Sequence, residues 1–196
     1  MQHIIQFILE VDKLKNVIRA NKPVGQNRNE NAAEHSWQIA LLALAMQRFA
    51  RPEVDINRAI KMLLLHDIGE IDIGDTIIYA NIDWQAEKEK ELAAVKRIFG
   101  LLNHAATEQE FLDLWLEFEH NQTVTAQFAN ALDRAMPPLL NLASNGQSWV
   151  ENGVSYEQVV KRIRQPIESV FPELWQYIHH QLAEHQRQGW FGTLNK

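Results

Sequence analysis

Cysteine is absent from this 196-residue chain, which excludes disulfides, thiolate metal ligands and a cysteine nucleophile together. An excess of positive charge is missing as well: 19 Lys and Arg stand against 25 Asp and Glu, for a formal charge of −6 and a pI near 5.7. A broad phosphate-backbone-binding surface needs the opposite balance, so no long nucleic acid is expected as a partner; a small basic pocket stays compatible with the acidic total. Long apolar runs are lacking too. The uninterrupted run Ile39 to Met46 is too short to span a bilayer, and the opening residues MQHIIQFILEVDKLK show neither a basic n-region nor a small-residue cleavage site. The expectation is a cytoplasmic protein without a membrane segment, in a reducing compartment that the lack of cysteine fits.

What is present is ordinary for a globular protein, with 46% hydrophobic and 22% charged residues on a length that suits one domain, residues 1–196. Helical periodicity dominates and no run alternates convincingly as a strand. The predicted fold class is all-α. A first amphipathic segment covers roughly Ile4 to Arg19, with Ile4, Ile5, Ile8, Leu9, Val11 and Leu14 on or near one face. The breaker-rich stretch Asn21 to Glu30 reads as a loop. A second helix starts at Asn31, whose side chain suits an N-cap, while Glu34 supplies the reciprocal half of a capping box. The third, from about Ile56 to Ile68, is apolar around most of its circumference and should be central. A turn-rich stretch follows from Glu70 to Asp75, flanked by Gly69 and Gly74. Further helices are expected from about Asp83 to Phe99, from Glu108 to Glu119, and from near Thr123, with Pro137 and Pro138 kinking or restarting the last of these. Ser144 to Gly153 reads as an exposed loop, Tyr156 to Arg164 and Pro172 to Arg187 as the final helices. No internal repeat, low-complexity tract or linker divides the chain.

Four residues carry the chemistry. His35 shares a helical face with Ile39, Leu42 and Met46, so it points along the core stripe, and the helix N-terminus disfavours its imidazolium form. The alternative is a core histidine bonded to a backbone carbonyl. In the pair His66-Asp67, a carboxylate at the end of a nearly all-apolar helix is costly to bury unless paired or metal-bound; pairing with an arginine from another helix is the competing explanation. Asp133 lies on a face with Ala126, Ala129 and Met136, whose small members admit close helix approach, or else it is a polar residue beside Arg134. Two histidines and two aspartates would suit a divalent transition metal with positions open for water and substrate.

The surroundings of these residues resemble the HD superfamily of metal-dependent phosphohydrolases, in the stretches Arg28-Asn-Glu-Asn-Ala-Ala-Glu-His35-Ser-Trp, His66-Asp-Ile-Gly-Glu-Ile-Asp-Ile-Gly-Asp75-Thr and Ala129-Asn-Ala-Leu-Asp133-Arg. The branch it looks most like is the small group that includes 5′-deoxyribonucleotidases. That resemblance implies a helical bundle with a buried metal site between helices, ligated by His35, His66, Asp67 and Asp133. It implies one divalent ion, Co, Mn, Fe, Ni or Zn, since no Gly-Tyr-Pro signature accompanies His104 and His120 as in binuclear relatives. It makes Glu70 the residue that orients or deprotonates the attacking water, Asp75 the acid for the departing oxygen, and Arg19 the arginine near the substrate phosphate. The branch carries an aromatic residue directly after that arginine, where this chain has Ala20. The substrate implied is a small phosphorylated molecule, a nucleoside 5′-monophosphate first, another phosphorylated metabolite such as a cyclic or pyrophosphorylated nucleotide second, and the assembly a homodimer. A non-catalytic helical regulatory module that keeps a metal for stability or merely binds nucleotide is the contrasting class. Lys13 and Lys15 read as surface cations, His179, His180 and His185 as a solvated face, and the tryptophans as packing, with Trp84 beyond the active-site turn the exception.

Overall fold

The structure is a computed structural model in which residues 1–74 and 84–191 are described, the side chains of Trp84 and Gln85 excepted. Among the described residues the chain is helical throughout, in the order α1 (Gln2–Val11), α2 (Ala32–Met46), α3 (Ile56–Leu65), α4 (Glu70–Ile73), α5 (Trp84–Gly100), α6 (Ala105–His120), α7 (Val124–Ala143), α8 (Gln147–Glu151), α9 (Tyr156–Val170) and α10 (Pro172–Arg187). The all-α expectation holds. A single antiparallel bridge, Ile18 with Asn31, is the only extended pairing among the described residues.

Helix starts follow the local chemistry closely. Asn31 accepts from the Glu34 amide at 2.9 Å while the Glu34 side chain accepts from the Asn31 amide at 3.1 Å, closing the expected capping box. Ser155 and Gln158 close a second capping box at α9, Thr123 and Asp55 accept from the Ala126 and Arg58 amides as simple caps of α7 and α3, and Pro172 opens α10 at a position where its missing amide costs nothing.

α3 lies against α2, α6 and α7, and α7 in turn packs on α9 and α10. Ala59, Met62 and Leu63 of α3 meet Ile39 of α2 and Phe128 and Leu132 of α7 in one apolar cluster with no solvent exposure. Each such large side chain contributes about 1.5–3 kcal/mol by burial. The central place of α3 follows from its sequence.

Four expectations need correction. The first helix does not run to Arg19: it ends at Val11, passes through a 3₁₀ turn over Asp12–Asn16 and becomes extended at Val17. Extension lets residues 17–21 pair with 30–32, through Ala32 N–H to Val17 C=O, Arg19 N–H to Glu30 C=O and Glu30 N–H to Asn21 C=O. Pro137 and Pro138 do not restart α7, which continues to Ala143; burial of both flanking turns among Leu132, Ala135, Met136 and Leu140 outweighs the two lost amide donors. The stretch from Ser144 to Gly153 contains α8, with Ser148 and Trp149 buried on its inner side. Tyr156's helix also runs past Arg164, through Pro166, to Val170.

Candidate metal centre and active site

Three packed helices meet at one point. His35 sits in the first turn of α2, where its amide bonds Asn31 C=O at 3.1 Å, and its side chain is fully buried. His66 caps the C-terminus of α3, and Asp133 projects from the middle of α7. Ligand atoms of His35, His66 and Asp133 all lie within 4.8 Å of one another. His35 Nε2 is 3.0 Å and His66 Nε2 3.8 Å from Asp133 Oδ1, and Asp67 Oδ1 is 2.9 Å from His66 Nε2. All four residues singled out in the sequence are therefore adjacent.

The tautomer of His66 is fixed by its surroundings. Its Nδ1 donates to Leu63 C=O at 2.9 Å, so the neutral ring carries its lone pair on Nε2, the buried atom that stands 2.9 Å from Asp67 Oδ1. In its neutral form an imidazole held this way, with Nε2 facing the Asp67 and Asp133 carboxylates, has the arrangement of a metal ligand. The donor set fits a divalent ion.

Arg19 and Glu30 complete the surroundings. Arg19 Nη1 donates to Asp67 Oδ2 at 2.9 Å, and its Nε lies 3.4 Å from Glu30 Oε1. Arginine pairing, the alternative explanation of Asp67, is thus present on one oxygen while the other faces His66. The partner comes from the extended segment before α2. Glu30, nearly inaccessible, also approaches His35 Nδ1 to 3.9 Å. Asn29 Nδ2 donates to Arg19 C=O at 2.8 Å, holding the arginine's backbone. Trp115 of α6 donates from its indole to His66 C=O at 3.0 Å, and Phe118 packs on the His66 ring at 5.0 Å between centroids. Glu30 stands within the stretch that carries the resemblance, five residues before His35, but has no role of its own there, and Trp115 reads only as packing in the sequence because it is far from any ligand.

Burial and charge set the protonation preferences. Burial lowers the His35 pKa, with the Arg19 charge acting the same way against Asp133 and Asp67. Burial also acts to lower the His66 pKa, but Asp67 and Asp133 outweigh it and the net shift is upward. For Asp67 and Asp133 burial favours the neutral acid, yet His66 and Arg19 at the first and His35 and Arg134 at the second hold both carboxyls below the usual range. These two aspartates stay anionic.

A cavity of about 450 Å³ opens from this cluster, within the range of small-ligand sites. Arg19, His66, Asp67, Glu70 and Asp133 line it. Glu70 opens α4 directly after Gly69, at which a Cβ would stand 2.6 Å from Glu91 Cγ and 3.2 Å from Glu91 C=O. Only glycine lets α5 approach this closely. Glu91 borders the same cavity and is pushed up to about 7 by burial and by the Glu119 and Asp67 charges. Arg97 of α5 clasps Asp72 of α4 with two bonds of 2.7 Å and reaches Glu10 of α1, fixing the short helix that carries Glu70. Asp75 and the Trp84 side chain lie outside the described residues. His104 caps α6, and His120 ends it in an exposed position, so neither reaches the cluster. His179 and His180 are exposed, whereas His185 is half-buried against Trp190, ring centroids 3.7 Å apart.

A His/Asp cluster between bundled helices, lined by an acid and an arginine in one cavity, defines the class: a helical metal-dependent hydrolase of phosphorylated substrates. The HD domain family model matches residues 11–175, and the chain belongs to that family. A Xenopus laevis protein named 5′-deoxynucleotidase HDDC2 is 30% identical over 160 residues, 81% of this chain and 72% of its own length. The human protein of that name is 29% identical over 133 residues, 67% of this chain and 63% of its own. A crystal structure from Magnetospirillum magnetotacticum, described as a predicted metal-dependent phosphohydrolase, superposes with a TM-score of 0.90 at 38% identity, covering 97% of this chain and 95% of that one.

Proposed function

We propose that this protein is a metal-dependent 5′-deoxynucleotidase, hydrolysing nucleoside 5′-monophosphates to nucleoside and inorganic phosphate. The observation that carries the reading is the clustering of His35, His66, Asp67 and Asp133 at one point between the helices, opening on a cavity that also holds Glu70 and Arg19. The relatives named 5′-deoxynucleotidase supply the substrate class.

The four residues of the quartet would hold one divalent ion. Held there, it would supply Lewis acidity to a phosphoryl oxygen and make water acidic enough to attack near neutral pH. Glu70 receives the proton of the attacking water, since it lies on the cavity wall one short turn beyond Asp67. Arg19 balances phosphate charge from a guanidinium already fixed by Asp67 and Glu30. Water adds to phosphorus, the bond to the 5′ oxygen breaks, and Asp75 protonates the leaving oxygen. A structural metal has no use for Glu70 in the cavity, which argues against a purely regulatory module.

We further read the chain as a single catalytic domain that acts as a homodimer in the cytoplasm. The dimer is supported by apolar side chains left uncovered: Trp37, Leu41 and Leu44 along one face of α2, and Ile4, Ile5, Ile8 and Leu9 on α1. No helix among the described residues is long and apolar enough to cross a membrane.

A panel of nucleoside 5′-monophosphates, 3′-monophosphates, cyclic nucleotides and diphosphates with phosphate detection tests the activity. Phosphate release from 5′-monophosphates in preference to all others is expected; turnover confined to cyclic or pyrophosphorylated nucleotides overturns it.

A further inference from the structure

The cavity has a second wall that the phosphate chemistry does not use. Trp149 of α8 borders it together with Val154, Val159 and Ile163, and this apolar surface faces the same space as Arg19 and the His/Asp cluster. Trp149 is held from behind. Phe191 stacks on its ring at 4.6 Å between centroids and 12° between planes, and Tyr156 meets Phe191 edge-on at 5.6 Å. Gly146 lets this tail lie close, since a Cβ there would fall 2.2 Å from Trp190 C=O and its φ of +69° suits glycine.

The wall is coupled to the phosphate end through the backbone. Ser148, the residue before Trp149, donates its hydroxyl to Ala20 C=O at 2.8 Å, and Ala20 follows Arg19. Lys22 in the same segment pairs with Glu151 of α8 at 2.7 Å. Asn152 Nδ2 returns to Ser148 C=O at 2.8 Å. α8 is thereby fastened to the arginine segment, and its indole is set at a fixed offset from the phosphate site.

We infer that Trp149 is the specificity-determining wall for the nucleoside part of the substrate, an inference that rests on the nucleotidase reading. A phosphate anchored at the cluster leaves the rest of a 5′-nucleotide to fill the remaining cavity. A backed, immobile aromatic ring gains contact with a heterocyclic base at low entropic cost. Ring contacts are tolerant of base identity, so the wall selects a leaving group that carries a planar base over a bare sugar.

Competitive inhibition of the metal-loaded enzyme by the product nucleoside and by inorganic phosphate tests this. Trp149→Ala should weaken inhibition by the nucleoside roughly ten-fold and leave inhibition by phosphate within about two-fold; Trp149→Phe, which keeps a ring, should stay near the wild type for both. Equal weakening of the two inhibitors, or an unchanged nucleoside constant, overturns the wall while leaving phosphohydrolase activity intact. Wild-type enzyme without activity on any nucleotide overturns the nucleotidase reading and the wall together.

Discussion

Among single residues, Glu70 and Glu91 share a cavity and have opposite uses. Glu70 follows Gly69 directly after the ligand pair, so that its carboxylate lines the reacting space. Replacing Glu70 by Ala should lower kcat by on the order of 10²–10⁴ while bound metal, measured by elemental analysis, stays unchanged. Glu91 is largely buried and raised to about 7, so the folded state binds its proton more tightly than the unfolded chain does. Its contribution is present below the unfolded carboxylate value and is lost as pH rises toward 7. Metal-free Glu91→Gln protein should therefore lose less thermal stability than wild type between pH 5 and pH 8, by a margin of roughly 1–3 kcal/mol. Parallel melting curves for the two proteins across that range would refute the assignment. At this scale the sequence was informative only where a residue sits in a recognisable spacing. Glu91, Trp115 and Trp149 come from three different segments, and only tertiary packing brings them to the cavity or its ligands.

Elements divide in a similar way. Helix beginnings were legible because capping is decided within four residues: Asn31 with Glu34, Thr123 and Pro172 all stand where the side-chain chemistry puts them. Asn31 also sets the turn that carries His35. Asn31→Ala should cost about 1 kcal/mol of stability and weaken metal affinity besides, which thermal melts with and without added metal would separate. An equal loss in both conditions would show that the cap serves only the helix. Continuations were less legible. Pro137 and Pro138 argue locally for a break, but the buried turns on either side of them overrule it. α8 falls in a stretch whose Ser, Asn and Gly read as loop, and it folds because Trp149 finds a stacking partner in Phe191, beyond the end of α10.

For the whole molecule, the apolar stripe of α1 was visible in the sequence but its direction was not. Phe7 turns inward onto Phe111, and Ile4, Ile5, Ile8 and Leu9 face outward. Which side of an amphipathic helix is covered depends on distant aromatic residues in α5 and α6. An uncovered apolar face of this kind favours association. Sedimentation should find a dimer for the wild type and a monomer for Trp37→Glu with Leu41→Lys; an unchanged dimer would move the interface away from α2.

The quartet of His35, His66, Asp67 and Asp133 links all three scales, since its residues come from α2, the end of α3 and α7, held together by one core. Chelated enzyme titrated with Mn²⁺ or Co²⁺, with phosphate release from a 5′-deoxynucleoside monophosphate as the signal, tests it most directly. Activity should vanish on chelation, return with one equivalent of metal, and fail to return in Asp133→Ala. Full hydrolysis in chelated protein, or normal metal-dependent recovery in Asp133→Ala, would contradict the account.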